Sequence, residues 1–256
     1  MTASYTLKLE RAKKHITEVN DLLKKRCPFR YTVETDYEAG ERSIGAKRNE
    51  AVIGELALII GDAIHNLRSA LDHRVWEIVS PHVPKDGDRK AIQFPVAKSG
   101  SPEDIKGAFN NRKIDRAPKE VWIALEKIQP YPGGNDDLVL VHDLDVIDKH
   151  KLLIPTADYT RISADQLRRL VPDLPLALQG NMSFGSNRRD IGWSIPRMNR
   201  RDRRAKGIGR GGEKDLAVPV DIVIREPIKT APRPLMPALY AMSEAVAKAI
   251  EDLAAL

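Results

Sequence analysis

The stretch GDAIHNLRSALDHRVW, residues 61–76, predicts the element around which the fold is built. Apolar residues recur every three or four positions through this stretch and its flanks, which is the spacing of a buried helical face. Asn49 is a suitable N-cap for the helix, and Pro81 ends it. The polar residues form one continuous arc on the opposite side. One face of the helix is therefore core, and the other presents polar groups to a cleft, a partner or a second helix.

The rest of the chain predicts an α+β protein, in which a helical bundle carries a small antiparallel sheet. Helices are predicted from about residue 3 to 25, from 101, from 118 to 130, from 135 to 148 and from about 237. Strands are predicted at 30–36, near Ile44, and at 152–158, 176–184 and 218–224, so that residues 152–226 supply most of the sheet. The predicted organisation is a mainly helical core domain at 1–151, a strand-rich region at 152–230 with a basic loop at 188–215, and a C-terminal helix at 231–256 that packs back on the bundle.

Composition limits the class of protein. A chain of 256 residues with 42% apolar content is long enough for one large hydrophobic core. The single cysteine, Cys27, excludes an internal disulfide framework and a cysteine-rich zinc site, and it suits a reducing compartment. The N-terminus has no apolar signal core, and the longest purely apolar run, Leu56–Ile60, cannot span a bilayer. We therefore expect a cytoplasmic protein without a membrane segment.

The run HNLRSALDH, residues 65–73, carries a resemblance to known proteins. Together with four later motifs it resembles a family of uncharacterised bacterial proteins over roughly residues 30–155. These motifs are Phe94-Pro95, Gln129-Pro130-Tyr131, Leu144 and Asp148-Lys149-His150. Within the run, Arg68 and His73 form an R-x-x-x-x-H element that resembles the signature of HEPN domains, helical modules that include many metal-independent ribonucleases. The residue after the arginine, Ser69, departs from that signature, which more often has Asn, Asp or His there.

The polar arc supplies candidate catalytic groups for RNA cleavage, namely Arg68, His73, His65 and Asp72. His73 suits the base on a 2′-hydroxyl, and Arg68 suits stabilisation of charge on the phosphoryl group. On a straight helix these two side chains lie about 140° apart, so a second helix or a second subunit has to complete the site. The HEPN resemblance implies an active site at a dimer interface, and we therefore expect a homodimer.

Two other interpretations of the arc remain open. In the first, Arg68 pairs with Asp72 four residues later while His65 and Asn66 tie the helix to its neighbours, so that the cluster is structural and the protein is a non-catalytic binding bundle. In the second, a metal-dependent hydrolase takes oxygen and nitrogen ligands from Asp62, His65 and His73 and from Asp148 and His150. The last two belong to a possible second-segment site formed by Asp148, Lys149 and His150. No HExxH-like spacing occurs, and no metal or cofactor is predicted. We expect His150 to lie near the polar face of the central helix.

The net charge of +6 comes from one segment. Between Arg188 and Asp215 there are eight Arg and two Lys against four acids, which leaves 32 basic and 32 acidic residues in the remaining chain. Such a segment can contact phosphates by charge and bases by stacking, which favours RNA or another nucleic acid as a partner. The alternative is a solvated, partly disordered loop. The candidate nucleic-acid-binding residues are Arg188, Arg189, Trp193, Arg197, Arg200, Arg201, Arg203, Arg204, Lys206 and Arg210.

Overall fold

The computed structural model describes residues 2–84, 88–153, 156–157, 162–176, 181–182, 189–216, 222–225, 227 and 233–254. The fold is α+β, as the sequence predicts. The helices of the described residues are α1 (Ser4–Lys25), α2 (Glu50–Val79), α3 (Pro102–Asn111), α4 (Lys119–Ile128), α5 (Asp136–Asp148), α6 (Ala164–Leu170), α7 (Arg200–Ala205) and α8 (Leu235–Ala254). The strands are β1 (Phe29–Asp36), β2 (Glu41–Arg48), β3 (Thr156–Ala157), β4 (Ile162–Ser163), β5 (Asn181–Met182), β6 (Arg189–Ser194), β7 (Gly211–Leu216), β8 (Ile222–Ile224) and β9 (Arg233–Pro234).

The chain divides into two compact units. The helical unit consists of residues 1–22, 55–154 and 225–256, and the sheet unit consists of residues 23–54 and 155–224. The hairpin of β1 and β2 therefore groups with the later strands, whereas the sequence interpretation places it in the helical core domain. The reason is backbone hydrogen bonding over long sequence separations, because β6 pairs with β2 and β7 pairs with β1.

The helical unit is organised around α2. Its apolar positions Leu56, Ile60, Ile64, Leu67 and Leu71 are no more than 1% exposed, as expected for a helix with one face in the core. The side chain of Asn49 accepts a hydrogen bond from the backbone N–H of Val52, and the helix ends at Val79, two residues before Pro81. The predicted helix and both of its ends are therefore confirmed. Helices α4 and α5 pack against α8.

The sheet unit contains a four-stranded antiparallel sheet in the order β6-β2-β1-β7. The strands contribute Tyr31, Val33, Ile44 and Leu216 to one apolar cluster, which Leu167, Val171 and Leu174 of α6 and the residues after it complete. The predicted hairpin is confirmed, but the prediction that residues 152–226 supply most of the sheet is only partly right, since both central strands of the largest sheet come from residues 29–48.

Three further strand predictions fall partly outside the described residues. Of the predicted strands at 152–158, 176–184 and 218–224, the structure describes strand at 156–157, 181–182 and 222–224. In the described part of the chain, no helix combines the length and the apolar character that crossing a membrane requires.

Candidate functional site

Arg68, near the centre of the HNLRSALDH run, is buried and makes polar contacts with Asp72 and Phe94. Only 4% of the residue is exposed. Its Nη2 atom donates to the backbone oxygen of Phe94 at 2.7 Å and lies 2.9 Å from Oδ1 of Asp72. The same Oδ1 accepts the backbone N–H of Phe94 at 2.8 Å. Arg68 and Asp72 therefore clamp the backbone of residue 94 onto α2, an arrangement that we call the Arg68 clamp.

The electrostatics of the Arg68 clamp reflect this burial. Loss of solvent lowers the pKa of Arg68, and the nearby charge of Asp72 opposes that shift. Loss of solvent likewise raises the pKa of Asp72, against the charge of Arg68 and the hydrogen bond from Phe94. The guanidinium also lies 5.9 Å from the centre of the Phe94 ring, within the range of a cation–π contact. Each charge depends on its partner, so this geometry supports the structural interpretation of Arg68 and Asp72.

His73, the histidine of the R-x-x-x-x-H element, makes no hydrogen bond to the guanidinium of Arg68 within the described residues. It lines a pocket of about 710 Å³ together with Asp72 and Trp76. Its Nδ1 atom is buried and has no hydrogen-bond partner among the described residues. The structure thus places Arg68 in the core and His73 at a pocket. Asp72 contacts Arg68 and also lines the pocket.

His65 connects α2 to α5. Its Nδ1 atom lies 3.0 Å from Oδ1 of Asp145, and Nζ of Lys149 lies 2.6 Å from Oδ2 of the same carboxylate. Asp145 is 2% exposed, whereas the side chain of His65 is 54% exposed. When the imidazole of His65 is neutral, the contact with Asp145 favours a proton on Nδ1. The other ring nitrogen, Nε2, lies 3.4 Å from Oγ of Ser69. Sequence reasoning missed Asp145. Its position directly after Leu144, on the apolar side of α5, is the signal that could have identified it, because carboxylates are rarely buried.

Of the second predicted segment, Asp148-Lys149-His150, the side chain of Asp148 lies against α2 at Gly61. A Cβ atom added to Gly61 would lie 2.5 Å from Oδ1 of Asp148, so the glycine makes room for that carboxylate. Burial raises the pKa of Asp148, and the charges of Asp145 and Asp62 add to the effect. No hydrogen bond or ion pair joins the exposed side chain of His150 to His65 within the described residues. Among the described residues, no three or more His, Cys, Asp or Glu side chains lie close enough together to hold a metal ion.

His142 of α5 offers a test of the charge distribution around the Arg68 clamp. Burial lowers its pKa to about 4, and the positive charges of Arg68, Arg112 and Lys149 add to the shift while Asp145 opposes it. Between pH 6.5 and 4 the unfolded chain binds a proton that the folded chain does not, so stability falls as the pH falls through this window.

We expect His142→Gln to remove part of this acid destabilisation. Between pH 6.5 and 4, the free energy of unfolding of the wild type should fall by about 1–2 kcal/mol more than that of the variant. This value is reduced for solvent screening because His142 is only partly buried. Urea denaturation across this pH range measures the difference, and an imidazole NMR titration measures the pKa. A His142 resonance that titrates near 6.5 would contradict the assigned environment.

The basic segment forms a strand, a helix and a strand in place of a disordered loop, since residues 189–216 comprise β6, α7 and β7. Three of its arginines anchor it to the turn between β1 and β2. Arg203 is buried and donates to the backbone oxygen of Met198 at 2.8 Å and to Glu38 at 3.4 Å. Arg197 donates to the backbone oxygen of Ala39 at 3.0 Å. Arg210 lies 3.2 Å from the same carboxylate oxygen of Glu38.

The backbone of the turn between β1 and β2 also binds this segment on either side of α7. The N–H of Tyr37 donates to the oxygen of Arg210, and the N–H of Ile195 donates to the oxygen of Gly40. Gly40 has a φ of +73°, and a Cβ atom there would lie 2.5 Å from Cγ of Arg197. Only glycine suits both the left-handed backbone and the close approach. The segment is therefore part of the sheet unit's structure.

The remaining cations of α7 and its C-terminal end are exposed. No hydrogen bond or ion pair engages the side chains of Arg200, Arg201, Arg204 and Lys206 in the part of the chain that the structure describes. Trp193, in contrast, is half-buried and packs against the apolar cluster of the sheet unit, so only part of its ring is accessible to a base. Arg188 lies outside the described residues, and Arg189 is described only as part of the backbone of β6. The predicted binding residues thus separate into an anchoring set and an exposed set.

Comparison of the chain with models of protein families, with curated proteins and with solved structures finds no match. The resemblance to HEPN domains and to the uncharacterised bacterial family therefore remains a prediction from the sequence motifs.

Proposed function

We propose that the protein binds RNA through the exposed arginines of α7, and that the polar face of α2 stabilises the helical unit without cleaving RNA. The observation that carries the proposal is the division of the basic segment. Arg203 is used to fix α7 in place, whereas Arg200, Arg201 and Arg204 are exposed and unpaired among the described residues.

The spacing of these three arginines suits a polyanion. Arg204 follows Arg201 by three residues and Arg200 by four, so the side chains are neighbours on the helix surface. Like charges at this spacing destabilise a helix slightly, and a phosphate backbone relieves the repulsion while releasing its counterions. The HEPN resemblance favours RNA over DNA as the polyanion. Binding through α7 requires no second subunit, so the homodimer is not part of this proposal.

The Arg68 clamp supports the non-catalytic part of the proposal. RNA cleavage by Arg68 and His73 would require the buried guanidinium to leave the backbone oxygen of Phe94 and the half-buried carboxylate of Asp72, which would lose its counter-charge. The geometry therefore favours an RNA-binding protein over a metal-independent ribonuclease that uses this pair.

Arginine modification in the presence of RNA tests where the nucleic acid binds. We expect single-stranded RNA to protect Arg200, Arg201 and Arg204 from phenylglyoxal, because phosphate contact covers the guanidinium that the reagent attacks. Arg11, an exposed arginine of α1, is the control that should react equally with and without RNA. Mass spectrometry of peptides measures both. RNA that binds while these three arginines stay fully reactive would contradict the proposal.

A further inference from the structure

A pocket of about 710 Å³ in the helical unit has the size of a small-molecule site. It is bounded by the C-terminal part of α2, by the start of α1 and by the segment before Phe94. The residues that line it are Ser4, Asp72, His73, Trp76, Glu77, Ser80, Ile92 and Gln93.

Several polar groups of this pocket lack partners among the described residues. Oδ1 of Asp72 is occupied by Arg68 and by the N–H of Phe94, but Oδ2 has no partner. The side-chain amide of Gln93 makes no hydrogen bond, and Nδ1 of His73 is buried without one. Most buried polar groups in folded proteins are hydrogen-bonded, so the buried and unpaired Nδ1 of His73 indicates a place for a polar ligand. The half-buried side chains of Asp72 and Gln93 line the same pocket and offer an acceptor and donors beside it.

Trp76 gives the pocket an aromatic wall. The residue is 42% exposed and lines the pocket, so part of its surface is open to a ligand. An indole ring at the edge of a concave site offers a flat π face to planar ligands. Stacking on such a ring does not distinguish one base from another, so any selectivity has to come from the polar groups beside it.

We propose that this pocket binds a guanine base, stacked on Trp76 and held through its N–H edge by Asp72. Guanine presents N1–H and the N2 amino group side by side, and a carboxylate oxygen accepts from either donor. The amide of Gln93 can donate to O6 next to them. Guanine thus offers two adjacent donors to Oδ2 of Asp72 and an acceptor to Gln93, whereas adenine offers Oδ2 only its N6 amino group. We therefore expect the pocket to bind guanine more tightly than adenine.

This inference goes beyond RNA binding by α7 and does not depend on it. The pocket belongs to the helical unit, whereas α7 belongs to the sheet unit. A nucleoside carries no phosphate, so its binding tests the pocket alone. The variant Arg200→Ser/Arg201→Ser/Arg204→Ser should bind guanosine as the wild type does, which separates a failure of one proposal from a failure of the other.

Saturation-transfer NMR and calorimetry on the full chain with guanosine and adenosine test the proposal. We expect guanosine to bind at least about tenfold more tightly than adenosine, and Trp76→Ala to weaken guanosine binding by about tenfold or more. Tyr240→Ala, which removes another exposed aromatic side chain of the helical unit, is the matched control and should have no effect.

Two more variants keep the test decisive if Trp76→Ala does not fold. Trp76→Phe should retain guanosine binding because it keeps a stacking ring, and Gln93→Ala should weaken binding through lost contact with O6. Guanosine that fails to bind, that binds no better than adenosine, or that binds Gln93→Ala as tightly as the wild type would overturn the proposal.

Discussion

Replacing Arg68 by alanine is expected to lower the free energy of unfolding by about 3 kcal/mol, the lower end of the range for breaking a buried ion pair. The substitution leaves Asp72 without its counter-charge and removes a donor from the backbone oxygen of Phe94. The loss stays at the lower end because 25% of the Asp72 side chain is exposed, so water can compensate part of its charge. Urea denaturation of the wild type and the variant measures the difference.

The double variant Arg68→Met/Asp72→Asn separates loss of the pair from loss of packing. The amide oxygen introduced by Asp72→Asn would still accept the N–H of Phe94, and no unpaired charge would remain, so the double variant should be more stable than the sum of the two single changes implies. Arg116→Ala is the matched control, since its pairing with Asp115 is exposed and should contribute less than about 1 kcal/mol. A wild type that cleaves RNA, with an Arg68→Ala variant that is inactive yet fully stable, would contradict the structural role.

Replacing Arg200, Arg201 and Arg204 together by serine is expected to weaken binding of single-stranded RNA on the order of tenfold to a hundredfold at moderate salt. The three side chains are exposed, so their removal should leave the fold intact. Fluorescence anisotropy with a labelled RNA measures the affinity, and circular dichroism checks the fold. Arg203→Ala should behave differently, because it releases α7 from Glu38 and Met198 and acts by disturbing local structure.

The fold class and the central helix follow from the sequence because the apolar period of α2 is long and uninterrupted. The assignment of β1 and β2 to the sheet unit does not follow, because their partners β6 and β7 lie more than a hundred residues further along the chain. Alternation along β1 indicates a half-buried strand but carries no information about which strand pairs with it. The strands of the basic segment are also hard to predict from the sequence, because Arg189–Ser194 and Gly211–Leu216 contain few of the residues that favour strands.

The site shows the same division between local and distant interactions. The pairing of Arg68 with Asp72 follows from their spacing of four residues on a helix. The contact of both with Phe94 does not, because it depends on how a separate segment crosses α2. The burial of Asp145 and of Arg203 does not follow from the sequence for a related reason, since Asp145 contacts His65 and Arg203 contacts Glu38, both from segments far away along the chain.

The salt dependence of RNA binding shows whether the arginines of α7 contact phosphates. Each phosphate contact to single-stranded RNA adds about 0.7 to the slope of log affinity against log salt, so the triple arginine variant should lose about 2 from the wild-type slope. The matched control is Arg11→Ser/Lys13→Ser/Lys14→Ser, which removes the same charge from an exposed face of α1. We expect the wild-type slope in this control and a flatter slope only in the α7 variant. Equal slopes in all three proteins would contradict RNA binding by α7.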